Sequence, residues 1–240
     1  MSSPRSPSPR ALIVAVASQK GGAGKTTLAT SLADTLTLQG ETVLLIDLDP
    51  QRSALLWSET PSAVQTIHAP STALAPAWLA RLASAYTWVV IDCPPRLGES
   101  TLAAVAVADL VLVPIRPTKM DLDVLPATLQ ACEAARRLRA VITQRPPRST
   151  SADSAPAAIQ AAGLAVLATS LAFRQDFPDS HSLGMSAPRS APKSRAAAEV
   201  LALVAEVRAL LSMAHTHDEA QAPAPRRTKA TPRRLPRGST

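Results

Sequence analysis

A loop rich in glycine and lysine is the part of the sequence whose residue types best fit a chemical role. It spans Lys20–Thr27, reads KGGAGKTT, and stands between an apolar run and a stretch with helical spacing. In that setting backbone N–H groups turn toward phosphate oxygens, and the start of the helix adds a partial positive charge. Lys25 is expected to reach the β- and γ-phosphates, and the Thr26 hydroxyl is expected to bind Mg²⁺. The predicted phosphate contacts are Gly21, Gly22, Ala23, Gly24, Lys25, Thr26 and Thr27.

Three aspartates stand where two further apolar runs end. Asp47 and Asp49 follow the run Thr42–Ile46, and Asp92 follows the run Trp88–Ile91. Parallel sheets bind their ligands beyond the carboxyl ends of the strands. Any one of these aspartates could cap a helix, but three of them behind a phosphate loop predict a shared role beside the phosphates.

The elements that must position these residues alternate along the chain. Continuous apolar runs predict strands buried on both faces, and stretches with helical spacing separate them. This alternation predicts a doubly wound α/β domain with a mainly parallel sheet, of the P-loop NTPase type. The expected strands are Leu12–Ala17, Thr42–Ile46, Trp88–Ile91, Leu110–Ile115, Ala140–Thr143 and Ala165–Ala168. The expected helices are Thr26–Leu38, Pro76–Ser84, Ser100–Ala108, Val124–Arg137, Ala155–Ala162 and Lys193–Met213.

Charge divides the chain into a nearly neutral body and two basic ends. The net charge is +7, and residues 1–10 and 215–240 carry most of the excess. We expect a disordered Ser/Pro/Arg lead at 1–10, a P-loop domain at 11–214 and a disordered, basic, Pro-rich tail at 215–240. A basic tail suits a polyanion, either nucleic acid or an anionic membrane surface, and it equally suits a solubilising end.

Cysteine usage and the apolar runs indicate a cytoplasmic location. Cys93 and Cys132 form no metal-ligand spacing, so neither a zinc site nor a disulfide framework is predicted. Residues 1–10 do not read as a secretory signal, and the run Ala11–Ala17 is too short to span a bilayer. Both features fit a reducing compartment.

One departure in the phosphate loop points to a particular family. An ordinary Walker A loop has glycine at the position of Gln19, whereas this loop opens with an additional lysine, Lys20. The string KGGAGKT resembles the deviant Walker A motif of the ParA/MinD family of ATPases. The resemblance implies ATP and Mg²⁺ as cofactors. It also implies an ATP-bound homodimer in which Lys20 reaches the nucleotide of the partner subunit.

The resemblance extends to the aspartates. The segment Asp47–Gln51 is similar to the family's Asp-x-Asp-Pro-Gln motif, and Asp92 is similar to its Walker B acid. It implies that Asp49 positions or activates the attacking water, while Asp47 and Asp92 hold Mg²⁺ through its water shell. Both lysines of the loop and Mg²⁺ would offset the charge on the γ-phosphate, and hydrolysis would be slow until a partner stimulates it.

Two later segments add to the resemblance. Leu112–Thr118, followed by Asp121, is similar to a proline-containing segment near the base and the dimer interface of small ParA proteins. Gln144 and Arg145 stand where the family has its contacts to the adenine base.

The sequence also narrows the subtype within the family. About ten residues precede the first apolar run, so the operator-reading domain of large ParA proteins is not expected. The Pro/Arg-rich end lacks the amphipathic membrane helix of MinD. Cys93 and Cys132 do not occupy the cluster-bridging positions of nitrogenase-type iron proteins. Lys193 and Arg195 precede the closing helix, where small ParA proteins carry basic residues that bind DNA without sequence preference.

The expected function is therefore that of a small ParA-type, ParF-like protein that partitions plasmid or chromosomal DNA. It would be nucleoid-associated, bind non-specific DNA as an ATP-dependent homodimer, bind no membrane, and respond to a ParB-like adaptor that stimulates hydrolysis.

Three alternatives stay open. ParA/MinD-like positioning of a protein cargo, such as a microcompartment or a chemoreceptor cluster, differs from DNA partition in the adaptor and not in the ATPase sequence. A MinD-like or metal-cluster-assembly ATPase would serve another non-DNA client. A catalytically silent nucleotide-binding scaffold is the third, and the intact Lys25, Thr26, Asp47, Asp49 and Asp92 speak against it.

Overall fold

A six-stranded, entirely parallel β-sheet forms the centre of the fold and confirms the predicted class. The computed structural model describes residues 10–60, 64–69, 78–79, 81, 84–96 and 98–221. Its strands are β1 (Leu12–Val16), β2 (Val43–Asp47), β3 (Gln65–His68), β4 (Trp88–Asp92), β5 (Leu110–Ile115) and β6 (Leu138–Ile142). They are arranged in the order β3-β2-β4-β1-β5-β6.

Helices cover both faces of this sheet. The helices whose two ends lie within the described residues are α1 (Lys25–Leu38), α2 (Ser53–Ser58), α3 (Glu99–Val107), α4 (Lys119–Asp123), α5 (Leu125–Ala131), α6 (Thr150–Ala161), α7 (Asp176–Ser182), α8 (Ala187–Ser190) and α9 (Arg195–Gln221). Successive side chains of a strand point to opposite faces, so β1 feeds two hydrophobic cores. Ile13 and Ala15 lie in the core formed with α3, α5 and α6, whereas Val14 and Val16 lie in the core formed with α1 and α9.

The helix α1 follows directly from the glycine-rich loop. Leu28, Leu32 and Leu36 recur at four-residue spacing and are fully buried against the sheet, which is the pattern of a helix packed along one stripe. Gly24 is its N-cap residue and has φ 89°, a left-handed conformation that glycine adopts without a Cβ clash. The loop can therefore turn sharply from β1 into α1.

The parallel arrangement brings the carboxyl ends of the strands to one edge. Asp92 at the end of β4 is in register with Val16 of β1 and with Asp47 of β2. The glycine-rich loop after β1 and the acids after β2 and β4 therefore meet at the same edge, where parallel sheets bind ligands.

Two strand assignments differ from the sequence prediction. The strand β3 was not expected, because QTIH is a short, partly polar segment at the sheet edge that lacks a continuous apolar run. Ala165–Ala168 was expected as a strand, but only Val166 pairs there, in a single parallel bridge with Ala140.

The helices also differ in length and number. The predicted helix Val124–Arg137 already ends at Ala131, while the predicted Ala155–Ala162 begins as early as Thr150 because the Ser149 hydroxyl caps it. The short helices α2, α4, α7 and α8 were not predicted, since four to seven residues are too few for a periodic signal.

Some expectations fall outside the described residues. Residues 1–9 of the predicted lead at 1–10, residues 222–240 of the predicted tail at 215–240 and most of the predicted helix Pro76–Ser84 are among them. The first part of the predicted tail is described and is helical, because α9 continues to Gln221 and not only to the predicted end at Met213. The domain boundaries proposed from the sequence thus stay predictions. Within the described part of the chain, none of the helices combines the length and the apolar character needed to cross a membrane.

Candidate functional site

Lys25, the first residue of α1, is the central cation of the site. Its side chain is buried, and its Nζ donates a hydrogen bond of 3.1 Å to the backbone carbonyl of Lys20 at the start of the loop. Burial lowers the pKa of Lys25, while the nearby Asp92 and Asp49 carboxylates act in the opposite direction. The ammonium group is therefore held beneath the loop between its glycines and two carboxylates.

Asp92 is a buried carboxylate without a hydrogen-bond partner. Neither of its oxygens is hydrogen-bonded within the described residues, and its side chain is fully buried at the end of β4. Burial raises its pKa to about 7, although the nearby Thr26 hydroxyl and Lys25 ammonium oppose the shift. Thr26 is thus close to Asp92 without meeting hydrogen-bond geometry. A buried, unpartnered carboxylate beside a hydroxyl is a fitting ligand set for a divalent cation.

The chemistry of these donors fits Mg²⁺ in particular. Among the described residues, no group of three or more His, Cys, Asp or Glu side chains is arranged to hold a metal ion. Mg²⁺ is normally held by one or two protein oxygens together with water and substrate phosphates. Thr26 and Asp92 are suited to form such a minimal set, and the role at Mg²⁺ that the sequence analysis assigns to Thr26, Asp47 and Asp92 stays a prediction.

Asp47 has a different environment from the one expected for it. Its Oδ1 accepts a hydrogen bond from the backbone N–H of Asp49, and its Oδ2 accepts from those of Ala54 and Leu55, each at 2.9 Å. These contacts tie the end of β2 to the first turn of α2. The carboxylate is therefore engaged by backbone groups, and a role for Asp47 at Mg²⁺ stays a prediction that its geometry favours less than that of Asp92.

Asp49 and Lys20 are the more accessible of the charged residues at the site. The Oδ1 of Asp49 accepts a hydrogen bond of 2.9 Å from the backbone N–H of Gln51, so its Oδ2 is available to a water molecule. Lys20 is partly exposed, and its ammonium forms no ion pair within the described part of the chain. The two roles assigned to them, in water activation and across a dimer interface, stay predictions.

A second loop supports the glycine-rich loop from the end of β6. Thr143 donates from its hydroxyl to the carbonyl of Ala23 at 2.7 Å, and Gln144 donates from Nε2 to the carbonyl of Gly22 at 2.8 Å. Gln144 has φ 49°, an uncommon conformation for a non-glycine residue. These bonds fix the shape of the loop before a ligand binds.

A cavity of about 380 Å³ opens beside the loop and is suited to a nucleobase. Gly24, Thr27, Thr143 and Gln144 form its near side. Its far side comes from the segment 171–182, which includes α7 and was not predicted as part of the site. The residues lining this far side are Leu171, Ala172, Phe173, Arg174, Phe177, Pro178, His181 and Ser182.

Aromatic rings are concentrated in this base cavity. The chain contains only two phenylalanines, and both Phe173 and Phe177 line it. His181 lies there as well, stacked on Trp57 with ring centroids 6.3 Å apart, and burial lowers its pKa. The signal that would have revealed this wall is the pair of phenylalanines in an otherwise aromatic-poor sequence.

The other predicted contacts are distributed over the neighbouring surface. Arg145 does not line the base cavity; its guanidinium pairs with Asp153 at 2.8 Å, so of the two predicted base contacts the structure brings only Gln144 to the cavity. The pair Arg116 and Asp121 is joined by two hydrogen bonds of 2.9 Å, which order the segment after β5. Burial and this guanidinium act oppositely on Asp121, and the net effect is a lowered pKa.

The two basic residues expected to contact DNA are exposed. Lys193 lies in the turn between α8 and α9, and Arg195 is the first residue of α9.

Cys93 and Cys132 are both buried, and burial raises the pKa of each thiol. They therefore pack as small core residues.

Comparison with known proteins agrees with this geometry. The model of a family described as the CobQ/CobB/MinD/ParA nucleotide binding domain matches residues 14–187. A maintenance of carboxysome distribution protein A from Halothiobacillus neapolitanus is 32% identical over 203 residues, covering 79% of this chain and 93% of the relative. A protein of the same name from Gloeobacter kilaueensis is 39% identical over 150 residues, covering 61% and 68%. The chromosome-partitioning ATPase Soj of Thermus thermophilus is 31% identical over 240 residues, covering 80% and 96%.

Solved structures share the fold. A Cyanothece McdA variant in complex with ATP superposes with a TM-score of 0.67 at 20% identity, covering 81% of this chain and 96% of that one. The septum site-determining protein MinD of Pyrococcus horikoshii, complexed with Mg-ADP, gives a TM-score of 0.67 at 19% identity, covering 85% and 98%. At these identities the likeness concerns the arrangement of the sheet, the phosphate loop and the flanking helices.

Proposed function

Because the chain belongs to the CobQ/CobB/MinD/ParA nucleotide-binding domain family, we propose that it is a ParA/MinD-type ATPase that positions a cellular cargo through a cycle of ATP-dependent dimerisation. One observation carries the ATPase assignment. The buried Lys25 and the unpartnered Asp92 meet beneath a loop of glycines, where a polyphosphate and a divalent cation would satisfy both. ATP and Mg²⁺ are the cofactors of this site.

Nucleotide binding would reorganise the contacts that the loop now makes with itself. Lys25 would exchange the carbonyl of Lys20 for oxygens of the β- and γ-phosphates, a charge-assisted and therefore stronger hydrogen bond. Thr26 and Asp92 would hold Mg²⁺, which when bound offsets negative charge on the phosphates. The base would enter the cavity between Gln144 and Phe173.

Hydrolysis would depend on Asp49 and on a second subunit. The free oxygen of Asp49 orients a water toward the γ-phosphate and accepts its proton as the water attacks. Lys20 has no ion-pair partner among the described residues of its own chain, which suits a cation that reaches the nucleotide of a second copy. The ATP-bound dimer would then be the active state, and adaptor-stimulated hydrolysis would end it.

A protein assembly is the cargo that we propose first. Two relatives named for maintaining carboxysome distribution match this chain, one at 39% identity and the other along 93% of its length. The ATP-bound dimer would bind nucleoid DNA as its track, and an adaptor on the cargo would stimulate hydrolysis and release it. This is the positioning alternative that the sequence left open.

Partition of plasmid or chromosomal DNA is the second candidate. The Soj relative, named a chromosome-partitioning ATPase, matches along 96% of its length at 31% identity. In this case the adaptor would be a ParB-like protein bound to a centromere-like site. The ATPase cycle would be the same, so the two candidates differ only in what the adaptor binds.

Two experiments test these proposals. Binding to random-sequence duplex DNA is measured with ADP–Mg²⁺ and with ATP–Mg²⁺ at two salt concentrations, for the wild type and Lys20→Ala. Binding that requires ATP, weakens with salt and is lost in the variant supports a nucleotide-gated dimer on DNA. Binding that is absent, or identical with both nucleotides, contradicts the DNA-track proposal.

The second experiment identifies the cargo in host cells that lack the gene. We expect labelled protein compartments to lose their regular spacing while plasmids and chromosome origins are inherited normally. Loss of plasmids or origins with normally spaced compartments would instead select the partition candidate.

A further inference from the structure

A basic hollow of about 290 Å³ adjoins the base cavity and shares lining residues with it. Four arginines line it, and we call it the arginine hollow; they are Arg145, Arg148, Arg174 and Arg195. Its wall includes Ala172, Phe173 and Arg174, which also line the base cavity.

Two of the four arginines have their charge neutralised within the protein. Arg145 pairs with Asp153 at 2.8 Å, and Arg174 pairs with Glu199 at 2.6 Å. Arg148 and Arg195 are exposed, and within the described part of the chain neither forms an ion pair or a side-chain hydrogen bond. Four guanidinium groups against two carboxylates leave the hollow with two uncompensated positive charges.

The hollow is built on rigid backbone. Pro146 and Pro147 separate Arg145 from Arg148, so the φ angles of the connecting residues are fixed. Arg148 itself has φ 52°, an uncommon left-handed conformation. Arg145 is held to the opposite strand segment by a parallel bridge with Ala172, with backbone hydrogen bonds of 3.0 Å to Leu171 and 2.9 Å from Phe173.

Glu199 fixes the wall from the side of α9. Its two oxygens accept hydrogen bonds from the backbone N–H of Ala172 at 3.0 Å and from the Arg174 guanidinium at 2.6 Å. Arg195 lies one turn earlier on the same helix, so it and Glu199 share a face of α9. The helix and the proline loop therefore fix the backbone positions of Arg148 and Arg195, both of which line the hollow.

We propose that the arginine hollow binds a backbone phosphate of duplex DNA, with Arg148 and Arg195 as the contacting residues. The planar guanidinium group matches phosphate oxygens bidentately, and two free guanidiniums on a rigid, exposed surface fit a polyanion better than a buried small ligand. The proposal rests on the DNA-track function and specifies its surface. It differs from the sequence prediction, because Lys193 does not line the hollow whereas Arg148 does.

The test compares four variants that each remove one positive charge. Arg148→Gln and Arg195→Gln change the hollow, and Lys193→Gln changes the other residue predicted from the sequence. Arg136→Gln is the matched control, because its exposed guanidinium lies near Asp109 at the start of β5, the opposite end of the sheet from the phosphate loop. Each protein is titrated with a random-sequence duplex in ATP–Mg²⁺ over a range of salt concentrations.

We expect Arg148→Gln and Arg195→Gln each to weaken DNA binding by about tenfold and to reduce the slope of log K against log salt by about one. Lys193→Gln and Arg136→Gln should stay within about twofold of the wild type. Arg148→Lys, which keeps the charge and loses the planar fork, should give an intermediate affinity. Binding by Arg148→Gln that equals binding by Arg136→Gln would overturn the proposal, as would a loss in Lys193→Gln that matches the loss in Arg195→Gln.

Two controls separate this inference from its premise. If the wild type shows no ATP-dependent DNA binding, the DNA-track function fails. If the wild type binds DNA with ATP and Arg148→Gln binds it equally well, the arginine hollow alone fails.

Thermal melting and ATP–Mg²⁺ binding of each variant should match the wild type, which shows that the variant is folded and binds nucleotide. A hollow that serves free phosphate instead would show DNA affinity unchanged in Arg148→Gln, together with a loss of stabilisation by inorganic phosphate.

Discussion

At the scale of single residues, Lys25 illustrates how burial prepares a charge for its ligand. Its ammonium has a lowered pKa and, within the part of the chain that the structure describes, a single backbone carbonyl as hydrogen-bond partner, so it is incompletely satisfied until a phosphate binds. Lys25→Gln should therefore reduce ATP hydrolysis by about a hundredfold or more. The nucleotide-free variant should melt at the same temperature or higher, because a buried charge has been removed.

Phosphate release and the affinity for a fluorescent ATP analogue measure this effect. Lys119→Gln is the matched control, since Lys119 is highly exposed and its ion pair among the described residues is with Asp123, one turn away. A Lys25→Gln protein that hydrolyses ATP within threefold of the Lys119→Gln rate would contradict the assignment.

Two aspartates at equivalent strand ends should respond oppositely to the same substitution. Asp47→Asn removes one charged acceptor from three backbone N–H groups, so we expect the free energy of unfolding to fall by about 2 kcal/mol. Asp92→Asn removes a buried carboxylate that has no hydrogen-bond partner among the described residues and whose pKa burial raises to about 7, so the free energy of unfolding at neutral pH without Mg²⁺ should rise.

Urea denaturation with and without ATP–Mg²⁺ separates the two roles. Wild type and Asp47→Asn should both be stabilised by the nucleotide, whereas Asp92→Asn should lose most of that stabilisation. Equal destabilisation of both variants, or full stabilisation of Asp92→Asn by ATP–Mg²⁺, would show that the two carboxylates are not distinguished in this way.

At the scale of elements, the turn between α7 and α8 depends on a single glycine. Gly184 has φ 65°, and a Cβ there would overlap the Thr60 side chain and lie 3.0 Å from the carbonyl oxygen of Trp57. We expect Gly184→Ala to lower the free energy of unfolding by about 3 kcal/mol or more, because the close backbone contact leaves no room for a methyl group.

Gly163→Ala is the control for the backbone contribution. Gly163 also has a positive φ, of 89°, but nothing lies within 4 Å of its added Cβ, so only conformational strain of about 1 kcal/mol is expected. Because α7 lines the base cavity, Gly184→Ala should also weaken nucleotide binding, which a fluorescent analogue measures. Equal destabilisation by the two substitutions would mean that the packing of Gly184 against α2 contributes nothing.

The elements also show how far the sequence could predict this site. The strands β1, β2, β4 and β5 and the start of α1 follow from continuous apolar runs and a glycine-rich loop, and these determine where the phosphates bind. The far wall of the base cavity did not follow, because 171–182 has no periodic pattern and reaches the site only through tertiary packing. The difference between Asp47 and Asp92 was likewise hidden, since it arises from α2, which gave no sequence signal.

At the scale of the whole molecule, one short segment lines both of the cavities for which we propose ligands. Ala172–Arg174 lines both the base cavity and the arginine hollow, and Glu199 secures it to α9. In the proposed cycle, the nucleotide and the DNA would therefore both lie next to this short segment. This arrangement gives a direct physical route by which ATP binding could alter the affinity for DNA.

The dimer predicted from Lys20 can be tested by mixing two inactive proteins. If Lys20 acts on the nucleotide of the partner subunit, a heterodimer of Lys20→Ala and Asp49→Asn contains one complete site. That site combines the Asp49 of the first chain with the Lys20 of the second. With random pairing, half of the dimers are mixed and each has one active site, so an equimolar mixture should recover about one quarter of the wild-type rate. A weaker tendency of Lys20→Ala chains to dimerise would lower this recovery, and light scattering gives the fraction of dimers formed.

Each variant alone should be nearly inactive. Asp49→Asn should still bind ATP, since the hydrogen bond that the Asp49 side chain makes is to the backbone N–H of Gln51 and not to the phosphate loop. Phosphate release is measured with saturating ATP–Mg²⁺ and duplex DNA, and light scattering reports the dimer. Recovery in the mixture requires that Lys20 and Asp49 serve the same site from different chains. If dimers form but the mixture is as inactive as its components, Lys20 acts within its own subunit. The lack of an ion pair at Lys20 among the described residues would then not reflect a role across the dimer interface.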